Sequence, residues 1–257
     1  MSHPTHAPAA ARRLQEMHHR DRPIVLPTVW DAWSARTVAS AGFEALTVGS
    51  HPVADSRGSA DGETMTLDEA LDGVARVVGA VDVPVSADLE SGYDTSPEEL
   101  VDRLLATGAV GLNLEDTVHA RGTMRSPEEH AAYIRRMRVR ADAAGVPLVI
   151  NARTDAFKHA GSLEDPTAEA LHRLRLMEEA GADCLYPVAV PSTAVLEQLL
   201  AAVSTPLNVT AHPERGAVPD QLDLDRLAAL GVRRVSFGPL LQQAAGEHIA
   251  QLLDGWR

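Results

Sequence analysis

PVSADLESGYDTSPEELVDRLLATGAVGLNLED, residues 84–116, carries two apolar runs around one amphipathic segment. The first run, Pro84–Glu90, and the last, Val110–Asp116, are short and rich in β-formers, as buried strands are. Between them Ser96-Pro97-Glu98-Glu99 gives a helix start: a capping hydroxyl, a proline in the first turn and an acid three residues on. Leu100, Val101, Leu104 and Leu105 then follow at helical spacing, and Gly108 marks the stop. The stretch therefore reads as strand, helix, strand, with acids at both strand ends.

The pattern repeats along the chain. Further apolar runs lie at 24–29, 45–50, 147–154, 184–190, 206–211 and 234–239, which makes eight in all. Thr66 before Leu67-Asp68-Glu69 and Ser126-Pro127-Glu128-Glu129 repeat the start signal; Gly42, Gly145, Gly181 and Gly231 repeat the stop. Strands alternating with helices predict a parallel sheet. Eight such units predict an α/β fold of the (β/α)8 TIM-barrel type. A doubly wound open sheet is the rival, but no run is followed by a glycine-rich dinucleotide fingerprint. Residues 1–22 read as a flexible tail and short helix, and 23–257 as one barrel domain.

The 257 residues are 45% hydrophobic and 23% charged, with a net charge of −13. That balance argues against nucleic-acid binding and against an anionic membrane surface. The apolar runs are too short to cross a bilayer, and the N-terminus lacks a secretory h-region. Cys184 is the one cysteine, so a disulfide framework and a cysteine zinc site are excluded, and a cytoplasmic location is expected. Cys184 reads as a core residue. Lys158 is the one lysine; it reads as a solvated loop residue, which disfavours a Schiff-base aldolase.

In a barrel of this type the active site lies at the C-terminal ends of the strands. Those ends carry Trp30, Ser50, His51, Asp88, Glu90, Asn113, Glu115, Asn151, Arg153, Tyr186, Asn208 and Ser236. Residues two apart on a strand share a face, so Asp88 and Glu90 are expected to point together, as are Asn113 and Glu115. Three acids meeting in one mouth call for a cation, and all-oxygen ligation suits Mg²⁺ or Mn²⁺. Asp88, Glu90 and Glu115 are the candidate metal ligands, with Gly92 turning the chain away.

SADLESGYD, VGLNLEDT and VINARTDAF, in order at consecutive strand ends, resemble the isocitrate lyase/phosphoenolpyruvate mutase superfamily, over about Pro23 to Leu240. The resemblance implies a Mg²⁺-dependent barrel enzyme that cleaves or forms C–C or P–C bonds in small oxyacids through an enolate. It implies a homo-oligomer, commonly a tetramer whose dimers exchange the last helix. It makes Asp88, Glu90 and Glu115 the metal-site acids, Glu90 standing where an aspartate is usual. It makes Arg153 the residue that grips substrate, Ser50 a carboxylate ligand and Asp61 an acid on the loop after the second strand. Trp30, His51, Asn113, Asn151, Tyr186 and Asn208 complete the expected substrate-binding set.

Departures narrow the activity. The segment 115–124 lacks the cysteine of isocitrate and methylisocitrate lyases. Arg121 stands where the phosphonate mutases have a lysine, and an arginine is a poor proton donor. Pro52 removes a backbone N–H from the oxyanion hole that the resemblance implies, so either His51 rebuilds it or the substrate sits differently. His119 and Arg121 join the catalytic candidates, whereas His130, His159, His172 and His248 read as surface residues. The leading expectation is a C–C lyase or decarboxylase for a small α-ketodiacid or 2-hydroxydiacid. The alternatives are a phosphonopyruvate-type P–C mutase or hydrolase, with Arg121 gripping the phosphonyl group, and a barrel that binds a metabolite without turnover.

Overall fold

The computed structural model describes residues 7–257. The start of the expected N-terminal tail, residues 1–6, lies outside the described residues. Strands follow in the order β1 Ile24–Leu26, β2 Thr28–Val29, β3 Leu46–Val48, β4 Val85–Asp88, β5 Gly111–Glu115, β6 Thr117–Val118, β7 Thr123–Met124, β8 Val149–Thr154, β9 Cys184–Pro187, β10 Asn208–His212, β11 Gly216–Ala217 and β12 Arg234–Ser236. All eight expected runs form strands. β6 and β7 make a small antiparallel hairpin beyond β5, and β11 folds back on β10.

Two parallel arrays result. One runs β2-β3-β4-β5-β8-β9, and the other runs β1-β12-β10 with β11 at its edge. The expected alternation and parallel order are present; one unbroken eight-stranded ladder is not. Pro27 separates β1 from β2, because proline cannot donate to a ladder. At the other seam a single bridge pairs Leu185 with Leu207, where Leu185 N donates to Pro206 O at 2.8 Å.

The helices between strands follow their start signals. Thr66 and Ser126 make complete capping boxes, and Ser96 Oγ accepts from Glu99 N. The predicted stops at Gly42, Gly108, Gly145, Gly181 and Gly231 all have positive φ. Helix Pro97–Thr107 turns Leu100, Val101 and Leu104 onto the sheet, all fully buried. Each such leucine is worth roughly 1.5–3 kcal/mol of burial.

The N-terminal helix, Ala7–Met17, belongs to this core rather than to a tail. Its Ala11, Leu14 and Met17 are fully buried against Ile24, Leu26, Ala45, Val110, Val146 and Val149, at the N-terminal ends of the strands. Gly111 permits the approach, since a Cβ there would sit 3.0 Å from Leu14 Cδ2. The final helix, Leu240–Leu253, leaves Ile249, Leu252 and Leu253 exposed, with Trp256 just beyond it. No helix among the described residues is long and apolar enough to cross a membrane.

The strand interiors differ from the branched apolar layers usual in such folds. Register aligns Asp88, Asn113 and Asn151 across β4, β5 and β8, and Glu115 with Arg153. It aligns Asn208 with Arg234 and Thr210 with Ser236 across β10 and β12. Asn113, Asn151, Asn208, Arg234 and Ser236 are all buried, so a polar column runs below the strand ends.

Candidate active site

A cavity of about 240 Å³ opens at the C-terminal strand ends. Ser50, His51, Asp61, Asp88, Asn113, Arg153 and Tyr186 line it, together with Lys158, Thr210 and Ser236. A larger hollow of about 1020 Å³ lies at the other end of the strands, between the N-terminal helix and Val81, Val110 and Val146. It carries no convergent set of catalytic groups, so the smaller cavity is the candidate site.

Asp88 ends β4 and presents its carboxylate to the cavity. Burial pushes that carboxyl up to about 6; Arg153 opposes the shift, while Glu115 and Asp61 add to it. Glu90 does not follow Asp88 into the cavity. The strand has ended, and Glu90 takes a left-handed φ of 48°, so the two-residue alternation no longer applies. Its Oε2 accepts from Glu63 N at 2.6 Å and its Oε1 from Tyr93 O–H at 2.8 Å. Burial pushes its carboxyl up to about 7, against the Tyr93 hydrogen bond.

Glu63 returns the contact. Its Oε1 accepts from Ser91 N, Ser91 Oγ and Tyr93 N, at 3.1, 2.7 and 2.8 Å. The loop after β3 and the turn after β4 are thus clasped together. The turn also needs Gly92: at φ 100°, a Cβ would meet Tyr133 Oη at 2.7 Å. Sequence reasoning missed Glu63, although it stands in the same Ala-Asp-Gly-Glu run as Asp61.

Glu115 is 2% exposed and held from two sides. Arg153 Nη1 lies 2.6 Å from its Oε2, and His119 Nε2 lies 2.6 Å from its Oε1. His119 also comes within 3.4 Å of Glu90. The Glu115 contact raises the imidazole pKa, against desolvation. His119 sits on a 3₁₀ turn between β6 and β7, against Gly62. Arg121, on the same turn, is exposed and makes no ion pair among the described residues.

Arg153 is the central cation. Its Nε and Nη2 grip Asp155 at 2.7 and 3.0 Å, and its guanidinium lies 6.0 Å from the Tyr186 ring centre. Burial opposes its charge, but Glu115, Asp155 and Asp88 outweigh that and hold it protonated. Lys158 is not free in solvent: its Nζ donates to Asp155 Oδ2 at 3.1 Å at the cavity rim. At the far wall, His51 Nδ1 lies 3.3 Å from Asp61 Oδ2, and Tyr186 Oη shares a 2.5 Å hydrogen bond with Thr210 Oγ1.

The other expected residues lie outside the cavity lining. Trp30 packs against the core and donates its backbone N–H to Ser34 Oγ. Asn151 Nδ2 donates to Asn113 Oδ1 at 2.8 Å, and Asn208 pairs with Ser236. His130, expected on the surface, is buried on the inner face of helix Pro127–Ala143 with Ile134 and Met137. Burial lowers its pKa to about 3, so it is neutral. Cys184 is buried as expected.

Among the described residues, no three His, Cys, Asp or Glu side chains converge into a ready cage for a metal ion. The donor set nonetheless fits a hard divalent cation. One half-buried carboxylate, Asp88, faces the cavity, and desolvation and the surrounding acids raise its proton affinity. Mg²⁺ keeps most of its waters and uses one or two carboxylates directly. Such an ion would be held by Asp88 directly, the other acids, Asp61, Glu90 and Glu115, adding negative charge around it, without a closed cage.

The family model described as phosphoenolpyruvate phosphomutase matches residues 14–255. An oxaloacetate decarboxylase of Ectopseudomonas mendocina is 34% identical over 82% of this chain and 72% of its own. The 2-methylisocitrate lyase of Escherichia coli K12 is 30% identical over 78% of this chain and 69% of its own. Among solved structures, an oxaloacetate acetylhydrolase in complex with its product oxalate superposes with a TM-score of 0.84. It is 26% identical and covers 95% of this chain and 85% of its own.

Proposed function

The chain belongs to the phosphoenolpyruvate phosphomutase family, and on that footing we propose that it is a Mg²⁺-dependent C–C lyase or decarboxylase. Its substrate is a small α-ketodiacid or 2-hydroxydiacid, with oxaloacetate and substituted malates the first candidates. The observation that carries the reading is the pairing of Asp88 and Arg153 in one cavity: a carboxylate for a cation beside a guanidinium for an oxyacid.

Arg153 binds the substrate carboxylate. Hydrogen bonds to Asp155 occupy two of its N–H groups, and the Glu115 ion pair sits against a third nitrogen, Nη1. A guanidinium has five, so two remain for a carboxylate held in a fork. Asp155 and Glu115 fix the plane of that fork, and so the orientation of the bond that breaks. Asp88 holds the cation, supported by Asp61, Glu90 and Glu115. When bound, Mg²⁺ supplies Lewis-acid stabilisation of negative charge developing on the substrate oxygens. As the C–C bond breaks, its electron pair passes into the carbonyl or carboxylate group adjacent to the retained carbon, giving an enolate. The other fragment leaves as CO₂ from a ketodiacid, or as a ketoacid from a 2-hydroxydiacid whose hydroxyl proton passes to water. His51, beside Asp61 in the cavity wall, is placed to donate a proton or a hydrogen bond where Pro52 cannot.

Two further features belong to the proposal. The two strand arrays act as one (β/α)8 barrel, closed across Pro27 and the Leu185–Leu207 bridge. The protein works in the cytoplasm as a homo-oligomer that covers Ile249, Leu252, Leu253 and Trp256, whether or not the last helix is exchanged.

A panel of oxaloacetate, substituted malates, isocitrate analogues and phosphonopyruvate, with Mg²⁺ or Mn²⁺, tests the reading. Ketoacid release that EDTA and Asp88→Ala both abolish is the expected result. Wild-type turnover in EDTA would refute it. Phosphate release from phosphonopyruvate would favour the P–C alternative, in which Arg121 grips the phosphonyl group. Tight ketoacid binding without product would favour a binding protein.

A further inference from the structure

Arg234 begins β12 in the polar column beneath the cavity and is fully buried. No carboxylate lies within ion-pairing distance of it among the described residues, and its Nε and Nη1 have no hydrogen-bond partner. A buried cation without a counter-charge is poor material for stability. Its Nη2, however, donates to Asn113 Oδ1 at 3.1 Å. Asn151 Nδ2 donates to the same oxygen at 2.8 Å.

Those two contacts decide which way the Asn113 amide faces. A guanidinium donates and never accepts, so the atom of Asn113 turned towards Arg234 must be the oxygen. Asn113 also lines the cavity floor. Its Nδ2 makes no hydrogen bond to protein among the described residues, so this N–H₂ is the group left for the cavity. Without Arg234, Asn151 alone would not fix the flip, because an amide side chain can turn to present either atom.

We propose that Arg234 is a positioning residue: from below the floor it locks the Asn113 amide so that the cavity is offered N–H donors, selecting a ligand oxygen that only accepts. A carboxylate or keto oxygen fits such a floor; a hydroxyl that must donate does not. The identity of the ligand rests on the oxyacid function proposed above, but the locking of the amide does not.

Two measurements on the full-length chain test it. The first needs no ligand. In ¹⁵N-labelled protein the Asn113 side-chain amide signal is identified by its loss in Asn113→Ala. It is expected to shift or broaden in Arg234→Met and to return towards the wild-type position in Arg234→Lys, which restores a donor. The second is calorimetric titration with oxalate and Mg²⁺ in a double-mutant cycle. Arg234→Met is expected to weaken oxalate about tenfold, the scale of one hydrogen bond to a charged group, and to have no further effect in the Asn113→Ala background. An unchanged Asn113 signal in Arg234→Met overturns the inference whether or not oxalate binds. So does an equal loss of affinity in both backgrounds. Failure of the wild-type protein to bind oxalate, with the amide signal still responding to Arg234, counts against the oxyacid function and leaves the lock standing.

Discussion

Asp88→Asn should abolish turnover and yet stabilise the metal-free protein. The carboxyl of Asp88 is raised from 3.8 to about 6, chiefly by burial. An acid whose pKa rises on folding costs stability once pH exceeds the unfolded value, and the cost is complete above the folded value. Two units at about 1.4 kcal/mol each make roughly 3 kcal/mol at pH 8. Asparagine removes that cost and can still accept the contact from Glu90 N, 3.2 Å away. For a chain of this size the gain corresponds to roughly 6–12 °C in Tm. The assay is a thermal melt in EDTA at pH 5 and pH 8, with and without Mg²⁺. The substitution should raise Tm at pH 8, raise it by roughly half as much at pH 5, which lies between the unfolded and folded values, and erase the Mg²⁺-induced shift. A variant that melts lower than wild type at pH 8, or that keeps the Mg²⁺ shift, would refute both the assignment and the electrostatic argument beneath it.

In the wild-type protein the same sign extends to Glu90, raised to about 7, and to His119, also raised. Each contributes stability at low pH that is lost as pH rises through its folded pKa, so metal-free Tm should fall between pH 5 and 8 while the stabilisation by Mg²⁺ grows. Differential scanning fluorimetry reads both trends. Arg153→Lys keeps the charge but loses the fork that spans Asp155 and Glu115; kcat/KM should fall by about a hundredfold or more, measured as pyruvate release. Gly92→Ala should cost about 1–3 kcal/mol in denaturant melts. Because the clash is with Tyr133 Oη, the cost should shrink in a Tyr133→Phe background. Leu252→Asp with Leu253→Asp should lower the mass measured by light scattering while leaving the monomer folded.

The order of elements was legible because each helix announces its own start and stop. Ser96, Thr66 and Ser126 cap as read, since a capping hydroxyl acts over three residues. Asp88 and Arg153 were legible because they lie within strands, where side-chain direction follows position. Glu90 was not, because it lies two residues past a strand whose end the sequence does not mark. Its left-handed backbone turns it towards Glu63, a partner from 27 residues earlier. His130 was misread for a simpler reason: it shares the spacing of Ile134, Met137 and Ala141, and that apolar stripe should have outweighed its polarity. Trp30 and Asn151 show the limit of reading by strand ends, which give a residue's height in the fold but not whether a neighbour already occupies it.

The N-terminal helix has a consequence for synthesis. Leu14 and Met17 leave the ribosome well before the Val110, Val146 and Val149 that help to bury them, which arrive 93 to 135 residues later. At roughly 5–20 residues per second, the helix waits on the order of ten seconds with part of its apolar face uncovered, after Ile24, Leu26 and Ala45 have already emerged. During that interval it is a natural handle for a chaperone, and slower translation between codons 20 and 150 should raise aggregation of the nascent chain.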